Sequence, residues 1–211
     1  MSYKRILIIK PSSLGDIVLA LPALSAVHRN FPDAEIDWMI RPVFAPLVEG
    51  HPHLNNVIYF NRKYLGRSFY DIKAFRALLA LIKRLRTREY DLVLDLQGLF
   101  RTASLGWLSG CRNRYGMREA REFAGIFYNH RIGAPSDSIH LVDVYMHMVA
   151  AAGGADQRVE FVFPENKDAE RSVKEKLRKC GIDLANYAVL VPGSAHSDKC
   201  WSVSKFKTVS E

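Results

Sequence analysis

The sequence predicts an α/β protein built on an open parallel sheet with helices on both faces. Short segments such as KRILIIK, at residues 4–10, are almost continuously apolar, which is typical of strands buried on both faces of a parallel sheet. Longer segments with apolar residues at helical spacing separate these strands. Strands and helices therefore alternate along the chain, as they do in a series of βαβ units.

Residues 1–160 contain the clearest part of this pattern. The predicted strands are residues 4–10, 34–40, 56–60, 91–98 and 112–117. The predicted helices are residues 16–30, 68–88, 100–110 and 140–152, with a short helix and turn after the second strand. Pro22 predicts a kink in the first helix, and Gly153 and Gly154 end the last one. We therefore place a first domain over residues 1–160.

The composition changes near residues 159–167, where VEFVFPENK is typical of a linker. Beyond it the pattern predicts a solvated helix at 168–181, a buried strand at 187–194 and a further helix from residue 201. One strand and two helices bury too little apolar surface for an independent core. We therefore interpret residues 161–211 as a linker and the incomplete start of a second α/β domain.

The chain carries a net charge of +8, and residues 61–90 hold nine basic residues against two acidic ones. Such a cluster indicates an anionic partner: nucleic acid, a membrane surface or a phosphorylated substrate. The alternative is an ordinary solvated helix face. Tyr64, Phe69, Tyr70 and Phe75 are spaced mostly like helical core residues rather than a platform for stacking bases, so we expect no nucleic-acid partner.

Several classes of protein are excluded by what the sequence lacks. It has no GxGxxG after the first strand, no P-loop, no HExxH and no histidine pattern with metal-ligand spacing. The three cysteines show no CxxC spacing, which argues against a disulfide framework or a zinc site. No run of eighteen apolar residues occurs, and the amino-terminal apolar stretch is too short for a signal peptide. We therefore expect cytoplasmic residence.

The loop KPSSLGD, residues 10–16, follows the first strand and is the first candidate site. Ligands of open α/β sheets bind outside the carboxyl ends of the strands, where this loop begins. Ser13 and Gly15 can present backbone N–H groups, and Asp16 supplies a carboxylate near the start of the next helix. The alternative is purely structural, with Ser12 and Ser13 forming a turn and Asp16 capping the helix.

Two further polar loops follow predicted strands. DLQGLFRTA, residues 95–103, carries Asp95, Gln97 and Arg101. Asp95 is flanked by Leu94 and Leu96, so a buried structural carboxylate is the leading interpretation of this residue. VPGSAHSDKCW, residues 191–201, places Lys199 in a small Gly/Ser loop that suits a phosphate-bearing ligand.

Four motifs, taken in order, resemble glycosyltransferase family 9, the bacterial heptosyltransferases that build the lipopolysaccharide inner core. The motifs are ILIIKPSSLGDIVLALPAL from residue 6, DLVLDLQGLFRTA from residue 91, HLVDVY from residue 140 and VLVPGSAHSDKCWSVSKF from residue 189. The resemblance implies a GT-B fold, in which two Rossmann-like domains face each other across a cleft. It also implies an inverting transfer of L-glycero-D-manno-heptose from ADP-heptose to Kdo-lipid A or its heptosylated inner core, without a metal ion or other cofactor.

The same resemblance implies roles for individual residues. Asp16 becomes the catalytic base that takes the proton of the acceptor hydroxyl, and Lys199 and Ser194 contact the donor. Weaker candidates for contact with the anionic acceptor are Lys10, Ser13, Gly15, Gln97 and Arg101.

Members of the family continue well beyond Glu211, so we expect this chain to be a fragment of the enzyme or a naturally short protein. The basic cluster would then face the phosphates and carboxylates of the acceptor at the cytoplasmic face of the inner membrane, in a peripheral contact without insertion. The alternative function is a non-catalytic module that binds an anionic glycolipid or a membrane surface.

Overall fold

The structure, a computed structural model, describes residues 2–135, 140–194 and 197–210. The chain divides into two compact units, Met1–Glu165 (unit 1) and Asn166–Glu211 (unit 2). The sequence placed the corresponding boundary after residue 160. The difference arises because residues 155–163 are held by hydrogen bonds and ion pairs to the rest of unit 1, for example between Arg29 and Glu160.

Unit 1 is built on one six-stranded sheet in which every paired strand is parallel. Its strands are β1 Arg5–Ile9, β2 Glu35–Ile40, β3 Asn56–Tyr59, β4 Leu92–Asp95, β5 Arg114–Met117 and β6 His130–Ile132. Their order across the sheet is β3-β2-β1-β4-β5-β6. The five strands predicted within residues 1–160 are all present. Strand β6 was missed because its three residues include two exposed polar ones, His130 and Arg131.

The helices of unit 1 connect these strands. They are α1 Leu14–Val18, α2 Leu21–Asn30, α3 Arg62–Leu65, α4 Ile72–Thr87, α5 Phe100–Leu108 and α6 Leu141–Ala151, with 3-10 helices at Pro42–Leu47 and Ala124–Phe127. The predicted single kinked helix over residues 16–30 is wrong, since α1 and α2 are separate helices. Pro22 lies in the first turn of α2, where a residue without an N–H is tolerated because that group has no intrahelical acceptor.

Apolar side chains leave the sheet on both faces, as predicted for a parallel sheet. Ile6 and Ile8 of β1 belong to the cluster that includes α2 and α6. Leu7 and Ile9, which alternate with them, belong to the cluster that includes α4 and α5. The sheet is therefore covered by helices on its two sides, and only its ends are open for chemistry.

Unit 2 contains helices α7 Lys167–Lys179 and α8 Val203–Ser210 and a 3-10 turn at Ser197–Lys199. The buried strand predicted for residues 187–194 is wrong: these residues form no strand, and Val189 and Val191 are exposed. A strand is stable only when its backbone pairs with neighbours, and unit 2 has no strand within residues 166–194 and 197–210. Among the described residues of the whole chain, no helix is long and apolar enough to cross a membrane.

Candidate active site

The candidate site lies at the carboxyl ends of β1 and β4. These two strands are neighbours, although β2 and β3 intervene in the sequence. The direction in which the chain crosses the sheet therefore reverses between them, and such a switch point opens a crevice between the loops that leave the two strands. The loop from β1 carries Asp16, and the loop from β4 carries Gln97 and Arg101.

Asp16 is fixed by Ser13, the residue that immediately precedes α1. Its Oδ2 accepts a hydrogen bond from the Ser13 backbone N–H at 3.1 Å and another from the Ser13 hydroxyl at 3.0 Å. This is the arrangement of a capping box, so the structural interpretation of Asp16 as a capping residue is correct. Both hydrogen bonds that the Asp16 carboxylate accepts from Ser13 use Oδ2, and the side chain remains 37% exposed. Capping therefore leaves an accessible carboxylate oxygen.

Lys10 lies beneath this loop and is only 3% exposed. Its Nζ donates to the Leu96 carbonyl at 3.2 Å, lies 3.8 Å from Asp16 Oδ2 and sits 5.6 Å from the centre of the Tyr145 ring. Burial lowers the pKa of the Lys10 ammonium, and the carboxylates of Asp16 and Asp95 oppose that shift. The enclosed position supports a role in holding Asp16, whereas direct contact between Lys10 and an acceptor stays a prediction.

Asp95, at the end of β4, is completely buried. Its carboxylate accepts hydrogen bonds from the backbone N–H groups of Gln97 and Gly98 and, at 2.8 Å, from the Tyr128 hydroxyl. Burial raises the pKa of Asp95, and these donors oppose the rise. Asp95 shapes the turn after β4 by bonding two of its N–H groups, so the structural interpretation of this carboxylate is the better one.

Gln97 and Arg101 line a small cavity that opens next to Ser12. Its other polar lining residues are Arg41, Arg62, Glu122 and Thr102. The Gln97 side-chain oxygen is buried and has no hydrogen-bond partner among the described residues. A buried carbonyl oxygen without a donor is costly, so this atom marks a place where a ligand hydroxyl or a water molecule would be stabilised.

Arginines dominate the outer part of the same edge. Arg41, Arg62 and Arg101 also line a wider cavity of about 540 Å³, together with Lys63, Arg67, Gly66 and Tyr70. Five cationic side chains around one cavity favour a ligand with phosphate or carboxylate groups. Sequence reasoning missed Arg41, although it follows β2 directly and the rule that selected the other loops applies to it equally.

The two donor-side candidates belong to unit 2. Ser194 is exposed, and Lys199 is the exposed last residue of the 3-10 turn. Ala195 and His196 of the same predicted motif lie outside the described residues. Gly15, the remaining candidate, is exposed in α1, and a side chain at that position would meet open space.

The family model described as glycosyltransferase family 9 (heptosyltransferase) matches residues 78–211, which is more than half of the chain. The chain belongs to glycosyltransferase family 9. This identification confirms the resemblance that the four motifs carried.

Individual members of the family are similar over almost the whole chain. Lipopolysaccharide heptosyltransferase 3 of Escherichia coli K12 is 27% identical over 92% of this chain and 56% of its own length. Lipopolysaccharide heptosyltransferase 1 of the same strain is 28% identical over 93% of this chain and 60% of its own length. The chain thus spans little more than half the length of these relatives.

Solved structures of the family have the same fold. The glycosyl transferase family 9 protein from Veillonella parvula DSM 2008 superposes with a TM-score of 0.80 at 21% identity, covering 99% of this chain and 59% of that protein. The E. coli heptosyltransferase WaaC with ADP gives a TM-score of 0.75 at 24% identity, covering 97% of this chain and 63% of that protein. Their similarity confirms the predicted α/β fold class and its relation to the family's GT-B architecture.

Proposed function

We propose that this chain provides the acceptor-side catalytic part of an inverting heptosyltransferase. The transfer moves L-glycero-D-manno-heptose from ADP-heptose to the Kdo/heptose inner core of lipopolysaccharide. The observation that carries the proposal is the position of Asp16. A partly exposed carboxylate stands at the switch point of the sheet, on the same edge as an arginine-lined cavity, in a member of a glycosyltransferase family.

Asp16 acts as the general base in this scheme. The acceptor hydroxyl loses its proton to the carboxylate while its oxygen forms a bond to the anomeric carbon of the heptose, and the bond from that carbon to the ADP phosphate oxygen breaks. Lys10 holds Asp16 in place through the 3.8 Å contact, and the arginines of the wider cavity bind anionic groups of the acceptor.

The donor side involves unit 2. Lys199 and Ser194 contact ADP-heptose, and the cation stabilises the charge that develops on the departing diphosphate. No metal ion is needed in this scheme.

The experiment that tests the base is an ADP-release assay with ADP-heptose and Kdo-lipid A on the Asp16→Asn protein. Loss of general-base catalysis lowers the rate by about 10²–10⁴-fold. Asp33→Asn is the matched control because Asp33 is an exposed aspartate in the turn before β2. Equal circular-dichroism spectra would establish that both variants fold, and activity close to that of the unmodified chain in Asp16→Asn would refute the role of base.

The second candidate function is a non-catalytic module that binds an anionic glycolipid or the cytoplasmic surface of the inner membrane. It is favoured because all the residues that line the arginine-lined cavity belong to unit 1, whereas the donor-side residue Lys199 lies in an exposed loop. Isothermal titration with ADP separates the two candidates, since a donor site gives a saturable heat and a module without one gives none.

A further inference from the structure

Two strongly exposed aromatic side chains of unit 1 are neighbours in the chain, and one of them, Tyr70, lines the arginine-lined cavity. Phe69 is 97% exposed and Tyr70 is 80% exposed, in the loop that joins α3 to α4. The expectation that these aromatics occupy core positions is therefore wrong. A folded protein leaves a large apolar patch in water at a cost, so a concentrated patch usually marks a binding surface.

Helix α4 extends the patch. Ile72, Phe75 and Leu79 have the i, i+3, i+7 spacing of one helix face, and all three are exposed. The face of α4 that packs onto unit 1 uses other residues, among them Ala74 and Leu81. The apolar side of α4 is thus wider than the part of it that the described residues of unit 1 cover.

Basic side chains surround the patch. Arg67, Lys73 and Arg76 are exposed among the aromatic and aliphatic residues, and Asp71, the acidic residue nearest to them, uses its carboxylate to cap α4. We call the surface formed by Arg67, Phe69, Tyr70, Ile72, Lys73, Phe75, Arg76 and Leu79 the basic aromatic face. Apolar groups mixed with cations match the surface of a bilayer that contains anionic lipids.

A cavity of about 250 Å³ opens at the edge of this face. Phe69, Leu65, Leu78 and Phe100 contribute apolar walls. Arg62 and Arg101 line this cavity as well as the polar cavity of the candidate site. The basic aromatic face and the candidate site are therefore adjacent, and a bilayer held by the face would lie beside the site.

We infer that the basic aromatic face docks unit 1 on an anionic membrane, with Phe69 and Tyr70 inserted among the lipid headgroups. The inference rests on the proposed function, whose lipid A-linked acceptor belongs to a membrane, and deepens it by naming the surface that meets the membrane. It replaces a diffuse electrostatic contact without insertion by one defined surface with two inserted side chains. Insertion at headgroup depth is favourable because both aromatic rings leave water, while the Tyr70 hydroxyl can still hydrogen-bond to water.

The test measures partition of the full chain onto vesicles of phosphatidylcholine alone and of phosphatidylcholine with phosphatidylglycerol, by sedimentation. The unmodified chain binds the anionic vesicles. The Phe69→Ser, Tyr70→Ser double variant binds them at least about tenfold more weakly because both rings lose their burial. Phe161→Ser is the matched control, since Phe161 is an exposed phenylalanine in the 155–163 segment, and it leaves partition unchanged.

A second set of variants tests the charges. Arg67→Gln, Lys73→Gln and Arg76→Gln each weaken binding by about fivefold, and the triple variant that combines them weakens it more than any one of them. Added salt weakens binding in the same direction. The same number of charges is removed from unit 2 in the control Lys176→Gln, Arg178→Gln, Lys179→Gln, which retains partition. An equal loss in both triple variants would mean non-specific adsorption and overturn the proposal.

Insertion has its own readout in a Phe69→Trp variant mixed with vesicles of brominated lipid. Its added tryptophan fluorescence is quenched, whereas the same substitution at Phe161 gives no added quenching. No quenching at position 69 would overturn the proposal. It would also be overturned if the unmodified chain bound no vesicles but self-associated, and the Phe69→Ser, Tyr70→Ser variant abolished that self-association. Vesicle binding in a chain that transfers no heptose would refute the enzyme and keep the docking surface. Heptose transfer to a detergent-dispersed acceptor by a chain that binds no vesicles would refute the docking surface and keep the enzyme.

Discussion

Unit 1 and unit 2 use apolar residues in opposite ways. In unit 1 the alternating side chains of β1 enter two separate cores, and Ile6, Leu7, Ile8 and Ile9 are all inaccessible to solvent. In unit 2 no described residue is buried, and even Trp201 remains about half exposed. Helix α7 has a well-separated apolar side and polar side, but its apolar side covers no core within unit 2.

The difference shows that an apolar sequence pattern predicts a helix and a strand under different conditions. Helical spacing in residues 168–181 is sufficient to specify a helix, because the backbone bonds of a helix are internal to it. The apolar run 187–194 is not sufficient to specify a strand, because its backbone must pair with another segment. Unit 1 supplies such segments from residues far apart in the sequence, whereas unit 2 supplies none among its described residues.

The largest expected contrast comes from the same substitution in each unit. Trp38 is fully buried and donates its indole N–H to the Lys10 carbonyl at 3.1 Å, so Trp38→Ala should lower the free energy of unfolding by about 3–5 kcal/mol. Trp201→Ala should leave the main transition in place. Urea unfolding followed by far-ultraviolet circular dichroism measures both.

Trp38→Phe controls for complete loss of folding, because it keeps a ring in the core and should give an intermediate midpoint. Equal shifts for Trp38→Ala and Trp201→Ala would mean that the two units unfold together, and the comparison would then fail.

Buried hydrogen bonds should give the next largest contrast. Tyr128→Phe removes a donor from the fully buried Asp95 carboxylate, which we expect to cost about 1–3 kcal/mol of unfolding free energy in unit 1. The Asn166 side chain caps α7 by accepting a hydrogen bond from the Ala169 N–H at 2.8 Å. Asn166→Ala removes this cap and should lower only the helix content of unit 2. Differential scanning calorimetry and the helical ellipticity at 222 nm report the two effects. A lower transition temperature of unit 1 in Asn166→Ala would contradict this separation.

A smaller, pH-dependent effect on stability is expected where residues 155–163 meet the rest of unit 1. The backbone N–H of His53 donates to His51 Nδ1, so His51 Nε2 carries the proton that reaches the Val162 carbonyl at 3.0 Å. Burial lowers the pKa of His51 and of His53, and the nearby His28 acts in the same direction, while Glu160 opposes the shift at His53. The folded state therefore binds fewer protons than the unfolded state. The stability from these groups is fully present above about pH 6.5 and is lost as the pH falls below it.

His51→Gln should flatten the loss of stability between about pH 7 and pH 5, because the amide can donate to the same carbonyl without titrating. His147→Gln is the control, since His147 is an exposed histidine on α6. Urea midpoints at several pH values measure the slope, and a slope that His51→Gln leaves unchanged would remove this histidine from the explanation.

The smallest effect is expected from the surface of unit 2. Lys174 and Glu170 form an exposed i,i+4 pair on α7. Lys174→Ala should leave the unfolding midpoint of unit 1 unchanged and alter the helical signal only slightly, since exposed pairs of this kind contribute little. A midpoint shift in unit 1 as large as that of Tyr128→Phe would show that the unfolding of the two units is coupled, contrary to this comparison.

Much of unit 1 could be predicted from sequence because parallel strands buried on both faces are read directly as apolar runs, as at 4–10 and 91–98. The division between α1 and α2 could not, since Pro22 is compatible with either a kink or a helix start. The loops holding Asp16 and Arg101 were located by the rule about strand ends, but the burial of Lys10 depends on Leu96, which is 86 residues away. The exposure of Phe69 and Tyr70 was missed because helical spacing does not say which side of a segment is covered.

The capping box at the start of α1 has a consequence for how damage to this site would be detected. Ser13 and Asp16 form one folding unit through two hydrogen bonds, so a random-mutation screen that reads only cell survival would score both residues alike. Ser13→Ala loses one donor and keeps the carboxylate, whereas Asp16→Ala loses both the cap and the oxygen that would receive a proton. Restoring activity with added formate, a small diffusible carboxylate, would identify the chemical role of position 16 independently of the folding role that it shares with Ser13.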